Sequence, residues 1–235
     1  MKKVIYTAII GDYDDLYNPT VITPGWSYVC FTDNETLFAK RKDYIWDIRM
    51  VRDSSLSNTK FDRKIKILHH AFLFGFDLSI WIDSNIRIIS DLNVFVQRFH
   101  RMDMTTLVHP DRKCIYEEAM ACIRMGKGLR NVIEKQMSLY HQVGYPINNG
   151  LIASRILIRP FNSKIEYLMT KWWDQVLKHS QRDQLSFNFV VWETPLDISL
   201  IPYNVVKTLF QLRKHKHGNS KHQKYKFDGK KYVKI

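Results

Sequence analysis

Three apolar runs rich in β-branched residues punctuate the first third of the chain, and each closes on polar groups. Residues 4–10 run into Gly11-Asp12-Tyr13-Asp14-Asp15, residues 28–31 into Thr32-Asp33-Asn34, and residues 78–82 into Asp83-Ser84-Asn85. Short continuous apolar runs of this kind predict buried strands of a covered sheet. In an open α/β sheet, ligands sit beyond the carboxyl ends of the strands. The polar closings are therefore binding candidates, the alternative for each being an ordinary strand-to-turn junction. The third run is the most informative, because the chain returns to Ile86, Ile88 and Ile89 after its two polar residues. Residues two apart on a strand point the same way, which predicts that Asp83 and Asn85 converge on one ligand. A carboxylate and an amide oxygen suit a hard divalent cation such as Mg2+ or Mn2+, often shared with substrate phosphates.

Helical periodicity supplies the other layer. Residues 58–76 carry Phe61, Ile65, Leu68, Phe72 and Phe76 at helical spacing, with Arg63, Lys64 and Lys66 among them and Gly75 near the end. A short helix follows at 91–99, then a strand at 104–108 ending in His109-Pro110-Asp111-Arg112. Residues 114–142 read as two helical segments broken at Gly126 and Gly128, and the turn cluster 144–150 feeds a strand at Leu151. Asn149 and Gly150 at that entrance place an amide beside a backbone that a ligand can approach closely. Residues 161–179 form an amphipathic helix whose Trp172-Trp173 pair is expected in the core rather than as a sugar platform. A further helix opens at Ser180, which is expected to cap it with Asp183 at the third helical position. The functional alternative for Asp183 is a carboxylate base at the ligand edge. A last strand covers 197–203. Strands alternating with helices predict an α/β fold, organised as one domain over residues 1–206 and a basic tail over 207–235.

Composition narrows the class. The chain has 235 residues, 45% hydrophobic and 13% aromatic, enough for a substantial core. It shows neither a signal-peptide pattern nor an apolar run near the roughly 18 residues a membrane helix needs. Cys30, Cys114 and Cys122 show no zinc spacing and are expected to be reduced core residues of a cytoplasmic protein. The net charge is +13, and the tail accounts for +9 of it, with ten Lys and Arg against Asp228. A local cluster of this kind attracts a nucleotide, an anionic lipid surface or a nucleic acid, and charge alone does not choose among them. The tail interleaves Tyr225, Phe227 and Tyr232 with lysines, which fits peripheral contact with an anionic membrane at its cytoplasmic face. A nucleic-acid module is disfavoured because no recognition motif accompanies the charge. A hydrolase is disfavoured because there is no Gly-x-Ser-x-Gly elbow and no His-Glu-x-x-His.

Seven motifs occur in order: residues 7–14 (Thr-Ala-Ile-Ile-Gly-Asp-Tyr-Asp), 31–34 (Phe-Thr-Asp-Asn), 81–86 (Trp-Ile-Asp-Ser-Asn-Ile), His109-Pro110, 116–119 (Tyr-Glu-Glu-Ala), Asn149-Gly150 and 181–184 (Gln-Arg-Asp-Gln). Together they resemble the glycosyltransferase-like domain shared by bacterial and viral polysaccharide glycosyltransferases and two plant proteins, a seed-mucilage pectin glycosyltransferase and one described as an alkaline ceramidase. The resemblance covers roughly residues 3–193 and implies a GT-A, Rossmann-like nucleotide-sugar fold with a mixed central sheet flanked by helices. It implies that Thr7, Ala8, Gly11, Asp12 and Asp33 hold base and ribose. Asp83 and Asn85 would stand in the Asp-x-Asp metal position for Mn2+ or Mg2+, with His215 and His217 as further ligand candidates. Lys64, taken as the preferred cation of its helix, would join Asp83 at the diphosphate. His109, Asn149, Gly150 and Arg182 would face sugar or acceptor, and Asp183 would be the base of an inverting transfer. The implied partners are a nucleotide-sugar donor and a glycan or lipid-linked acceptor of surface polysaccharide synthesis, lipopolysaccharide or capsule. Asn85 departs from the full motif, because a neutral amide is a weaker metal ligand.

Overall fold

A computed structural model describes residues 1–216, together with the backbone of two short strands, Tyr225–Phe227 and Tyr232–Lys234, that pair antiparallel. In chain order the elements begin with β1 (Lys3–Ile9), β2 (Trp26–Thr32), α1 (Glu35–Ala39) and β3 (Asp47–Met50). They continue with α2 (Asn58–Ile67), α3 (His69–Phe72), β4 (Leu78–Ile82), β5 (Ile86–Ile88), α4 (Leu92–Phe99) and β6 (Met104–Val108). Then come α5 (Ile115–Arg124), α6 (Arg130–Gln142), β7 (Ile152–Pro160), α7 (Ser163–Lys178), α8 (Gln184–Glu193), β8 (Ile198–Ile201), α9 (Tyr203–Leu209) and β9 (Phe210–Leu212).

Seven strands make one sheet in the order β3-β2-β1-β4-β7-β6-β8, and β7 alone runs antiparallel to the rest. This mixed sheet with helices on its faces is a GT-A-like fold. Both faces of β1 and β4 are buried, which is why these strands read as unbroken apolar runs rather than alternating ones. One face packs under α2, α5, α6, α7 and α8, with Tyr6, Trp81, Ile165, Trp172 and Phe187 at its centre. The opposite face is closed by α4, α9 and the β5–β9 pair around Ile80, Phe95 and Phe210. Trp172 and Trp173 are both buried in the first of these cores, and the three cysteines are free thiols in the interior.

The structure corrects several expectations. The helix expected over 58–76 stops at Ile67 and restarts as α3. Its last carbonyls would otherwise be orphaned inside the protein. The fully buried Arg159 of β7 caps them instead, donating to the oxygens of Lys66 (2.8 Å) and Ile67 (3.1 Å), and the Tyr6 hydroxyl donates to the Lys66 oxygen at 2.8 Å. A guanidinium at a helix C-terminus also offsets the dipole there. The boundary expected at 206 falls inside α9. Phe210 is too apolar to stay in a solvated tail: it packs on Phe95 with ring centroids 5.0 Å apart, and β9 pairs with β5. Residues 207–216 thus lead back across the body, and His217 lies outside the described residues. Among the described residues no helix is long and apolar enough to cross a membrane.

Candidate active site

The carboxyl ends of β1, β2, β4 and β6, with the entrance of antiparallel β7, define one edge. At β1 the chain turns through Gly11 and Asp12, both at positive φ (69° and 54°). The Gly11 amide donates to Asp33 at 2.8 Å, which ties the β1 and β2 loops together. A Cβ at Gly11 would lie 2.2 Å from the Asn58 amide nitrogen, so the turn accepts no side chain. Asp12 accepts from Asn34 at 2.9 Å, and Asn34 also caps α1. Thr7 and Ala8 lie deeper, enclosed in the sheet opposite Cys30 and Phe31, and the Thr7 hydroxyl is buried without a hydrogen-bond partner.

Asp83 follows β4 directly. Its amide donates to the Arg155 carbonyl of β7 at 2.9 Å, and its carboxylate accepts from Trp81 Nε1 at 3.0 Å. Asp83 and Asn85 do not share a strand face, contrary to the expectation. β4 ends at Ile82, and residues 83–86 turn through an Ile86 amide to Asp83 carbonyl bond of 2.9 Å. The Asn85 side chain is buried and donates to the Arg213 carbonyl at 2.9 Å, leaving its Oδ1 without a partner. Ser84 between them donates to Asp14, which also meets the His215 imidazole at 2.9 Å and the Lys216 amide at 3.1 Å. Asp83 and Asn85 thus offer a carboxylate and an unengaged amide oxygen, the hard donors a Mn2+ or Mg2+ shared with phosphates accepts. Among the described residues no three His, Cys, Asp or Glu side chains converge as a metal site.

The centre of the edge is an ionic cluster that α2 builds from one helix face. Asp62, Arg63 and Lys66 are neighbours at i, i+1 and i+4. The Lys66 ammonium, 2% exposed, lies 2.7 Å from Asp183, 2.9 Å from Ser154 and 3.5 Å from Asp83. Arg63 pairs with Asp62 and reaches Asp183 at 3.4 Å. Lys64, by contrast, pairs with Asp53 at 2.8 Å. Lys66 is therefore the cation of this helix that meets Asp83.

Asp183 does not complete a capping box. The helix α8 starts one residue later, and Asp183 makes no side-chain cap bond. Its carboxylate turns inward to Lys66, Ser154 and Arg63. Burial alone would raise its pKa, but Lys66, Arg63 and Arg182 reverse this and hold it well below the usual carboxylate range. A carboxylate in that state is a weak proton acceptor. Asp62 goes the other way. Burial pushes its pKa up to about 6, against Arg63 and with Asp83 and Asp183 adding repulsion. Two carboxylates with environments that separate their pKa values commonly mark separate acid–base roles.

Further along the edge, His109 is 9% exposed and accepts the Asp111 and Arg112 amides at Nδ1, with Nε2 3.6 Å from Glu118. Glu118 is engaged by Arg112 at 2.5 Å. Asn149 is exposed, and a Cβ added at Gly150 (φ 77°) would lie 3.7 Å from the Asn188 amide nitrogen. Arg182 is half-buried, its stem against Gly128.

Residues 1–217 match the family described as TOD1/MUCI70, glycosyltransferase-like domain. One relative is the probable hexosyltransferase MUCI70 of Arabidopsis thaliana, 25% identical over 212 residues. The match takes in 80% of this chain and 36% of that protein, so the chain spans little more than a third of its relative's length. With the family match running across the sheet and every element of this edge, the chain belongs to the TOD1/MUCI70 glycosyltransferase-like domain family.

Proposed function

We propose that the chain transfers a hexosyl or deoxyhexosyl group from a nucleotide-diphosphate sugar to a hydroxyl of a glycan or glycolipid. The observation that carries this reading is the single edge where β1, β2 and β4 bring Gly11, Asp12, Asp33 and Asp83 beside the Asp62–Arg63–Lys66 face of α2. Gly11, Asp12 and Asp33 take base and ribose. Lys66 and Arg63, fixed before substrate arrives, oppose the negative charge that grows on the departing diphosphate. A divalent ion held by Asp83 and Asn85 would add charge at the same place when bound.

Asp62 serves as the base. The acceptor hydroxyl gives its proton to the Asp62 carboxylate as its oxygen attacks the anomeric carbon. The bond to the diphosphate breaks with its electron pair, and the nucleotide diphosphate leaves. Attack opposite the leaving group inverts the anomeric centre. Asp183, tied to Lys66 and Arg63, positions these cations rather than accepting the proton.

The deciding experiment is calorimetric titration of UDP, GDP and dTDP, with and without Mn2+, into the native chain and Asp83→Ala. Metal-dependent binding of one nucleotide, lost in Asp83→Ala, supports the reading. Binding indifferent to metal keeps the transferase but removes the metal. No binding of any nucleotide sinks it. We place the enzyme in the cytoplasm, building surface polysaccharide such as lipopolysaccharide or capsule, with the basic tail resting on an anionic membrane. Co-sedimentation with phosphatidylglycerol liposomes that is unchanged by deleting residues 218–235 would remove the membrane contact.

A further inference from the structure

The half of the edge beyond β7 carries cations that, among the described residues, have no acid within ion-pair distance. Arg155 sits on β7 beside the reaction centre, its carbonyl accepting the Asp83 amide, while its guanidinium donates to the Tyr203 hydroxyl at 3.0 Å. Tyr203, His109 and Lys207 line a cavity of about 380 Å3 there. Arg182 follows on the α6 side: a Cβ at Gly128 would meet its stem at 3.9 Å, which places Arg182 next to Lys127. Lys127 is half-buried at the break between α5 and α6, held by its amide to the Cys122 carbonyl at 2.8 Å. Among the described residues, no carboxylate lies within ion-pair distance of Lys127, Arg155 or Arg182. Two acids that act on this group are committed elsewhere: Glu118 to Arg112, and Asp183 to Lys66 and Arg63.

Gathering half-buried cations without counter-charge is unfavourable unless a ligand supplies the charge. The Lys127 ammonium registers this. Burial first and then Arg182 lower its pKa; Cys122 and Glu118 oppose them, and Arg155 adds the weakest lowering. Arginine and lysine together suit carboxylate and phosphate oxygens. In the transferase reading the donor's diphosphate is served by Lys66 and Arg63 instead.

We propose that Lys127, Arg155 and Arg182 form an anion subsite on the sugar and acceptor side of the edge, taking a carboxylate or phosphate that the substrate carries besides the donor diphosphate. The assignment of sides rests on the transferase reading; the anion site itself does not. A carboxylate would make the transferred or accepting sugar an acidic one, and a phosphate would make the acceptor a phosphorylated one.

The test uses the full chain, saturated with whichever nucleotide diphosphate binds, and titrates D-glucuronate, inorganic phosphate and D-glucose calorimetrically. The expected result is that glucuronate or phosphate binds at least tenfold more tightly than glucose, and that Lys127→Gln loses that tenfold. Arg182→Gln is expected to lose as much, with glucose binding unchanged in both. Preference for glucuronate identifies the acidic sugar, and preference for phosphate the phosphorylated acceptor. The Lys127 ammonium has no ion pair or hydrogen bond to lose among the described residues, so Lys127→Gln keeps its thermal midpoint and decides the matter even where Arg182→Gln fails to fold. Anions that bind no better than glucose, or a Lys127→Gln chain that keeps full anion affinity, overturn the subsite. An anion site that survives while no nucleotide binds keeps the subsite and discards the transferase.

Discussion

The two halves of the ligand edge handle charge in opposite ways. On the β1–β2 side every loop acid is answered from within the protein. Asp33 accepts from the Gly11 amide, Asp12 from Asn34 and Lys216, and Asp14 from Ser84, the Lys216 amide and His215. Beyond β7, no carboxylate among the described residues lies within ion-pair distance of Lys127, Arg155 or Arg182, and Arg182 acts on the buried Asp183 only from farther off. Acids that are already hydrogen-bonded shape loops, and their backbone and remaining lone pairs meet the ligand. Cations left over state the sign of what is to be bound. The seam between the halves is the Lys66 cluster, where charges of both signs are buried together.

Breaking the seam at Lys66 should produce the largest effect. Lys66 and Asp183 side chains are 2% and 3% exposed and 2.7 Å apart. Removing one partner of such a pair leaves the other charge buried and uncompensated, at a cost of about 3–5 kcal/mol. Lys66→Met should lower the urea midpoint accordingly and abolish nucleotide binding. Lys66→Met with Asp183→Leu should regain most of the stability and none of the binding. A double variant that recovered both would reduce the cluster to a structural plug.

Asp62 comes next. With its pKa pushed up to about 6, the proton-accepting form is complete only above that pH, so the rate should climb through about pH 6 and then level off. Asp62→Asn should lose this limb together with about 10²–10⁴-fold in rate. Stability carries the opposite sign. A folded-state pKa above the ordinary 3.8 means that the folded form holds the proton more tightly. The stabilisation is complete below about pH 4 and lost as pH rises through about 6. Asp62→Asn should therefore be the more stable protein at pH 8. A variant that kept the acid limb would return the base to Asp183.

Smaller again is the loop that sets up the nucleotide half. Gly11→Ala forces a side chain into positive φ and onto Asn58. Strain of this kind costs about 1–3 kcal/mol. It should lower the melting temperature and weaken nucleotide binding, with anion affinity at Lys127 unchanged. Loss of both affinities would mean that the halves are not independent.

Much of this was legible in the sequence. Buried strands are largely apolar on both faces, so β1, β2 and β4 announce themselves, and the polar residues that end them mark the edge. Asp33, Gly11 and Asp83 could be named for that reason. What could not be read is where long side chains go. Three cations lie within four residues of α2, and only the end of the helix at Ile67, fixed by Arg159 ninety-two residues away, turns Lys66 inward and leaves Lys64 to Asp53. A lysine between Ile65 and Ile67 in the last turn of a helix is the one local sign. Asp183 lies against Lys66, Arg63 and Ser154, partners from α2 and β7 that no spacing reveals. Strand periodicity misassigned Asn85 because the strand stops at Ile82, and a turn does not alternate.

The smallest effect should come from Lys216, whose ammonium spans Asp12 at 3.0 Å and Asp15 at 3.5 Å. All three side chains are at least 36% exposed, so water and salt screen the contacts heavily. Lys216→Ala removes a positive charge from beside two acids that face the nucleotide edge, and should weaken nucleotide-diphosphate binding by no more than about threefold. The difference should shrink further at about 1 M salt, where the Debye length falls to about 3 Å. A loss of a hundredfold, insensitive to salt, would mean that Lys216 leaves its aspartates to grip the diphosphate. The nucleotide half would then own a free cation after all, and the contrast between the halves would become one of timing, with one cation set standing ready and the other delivered by the C-terminal segment on binding.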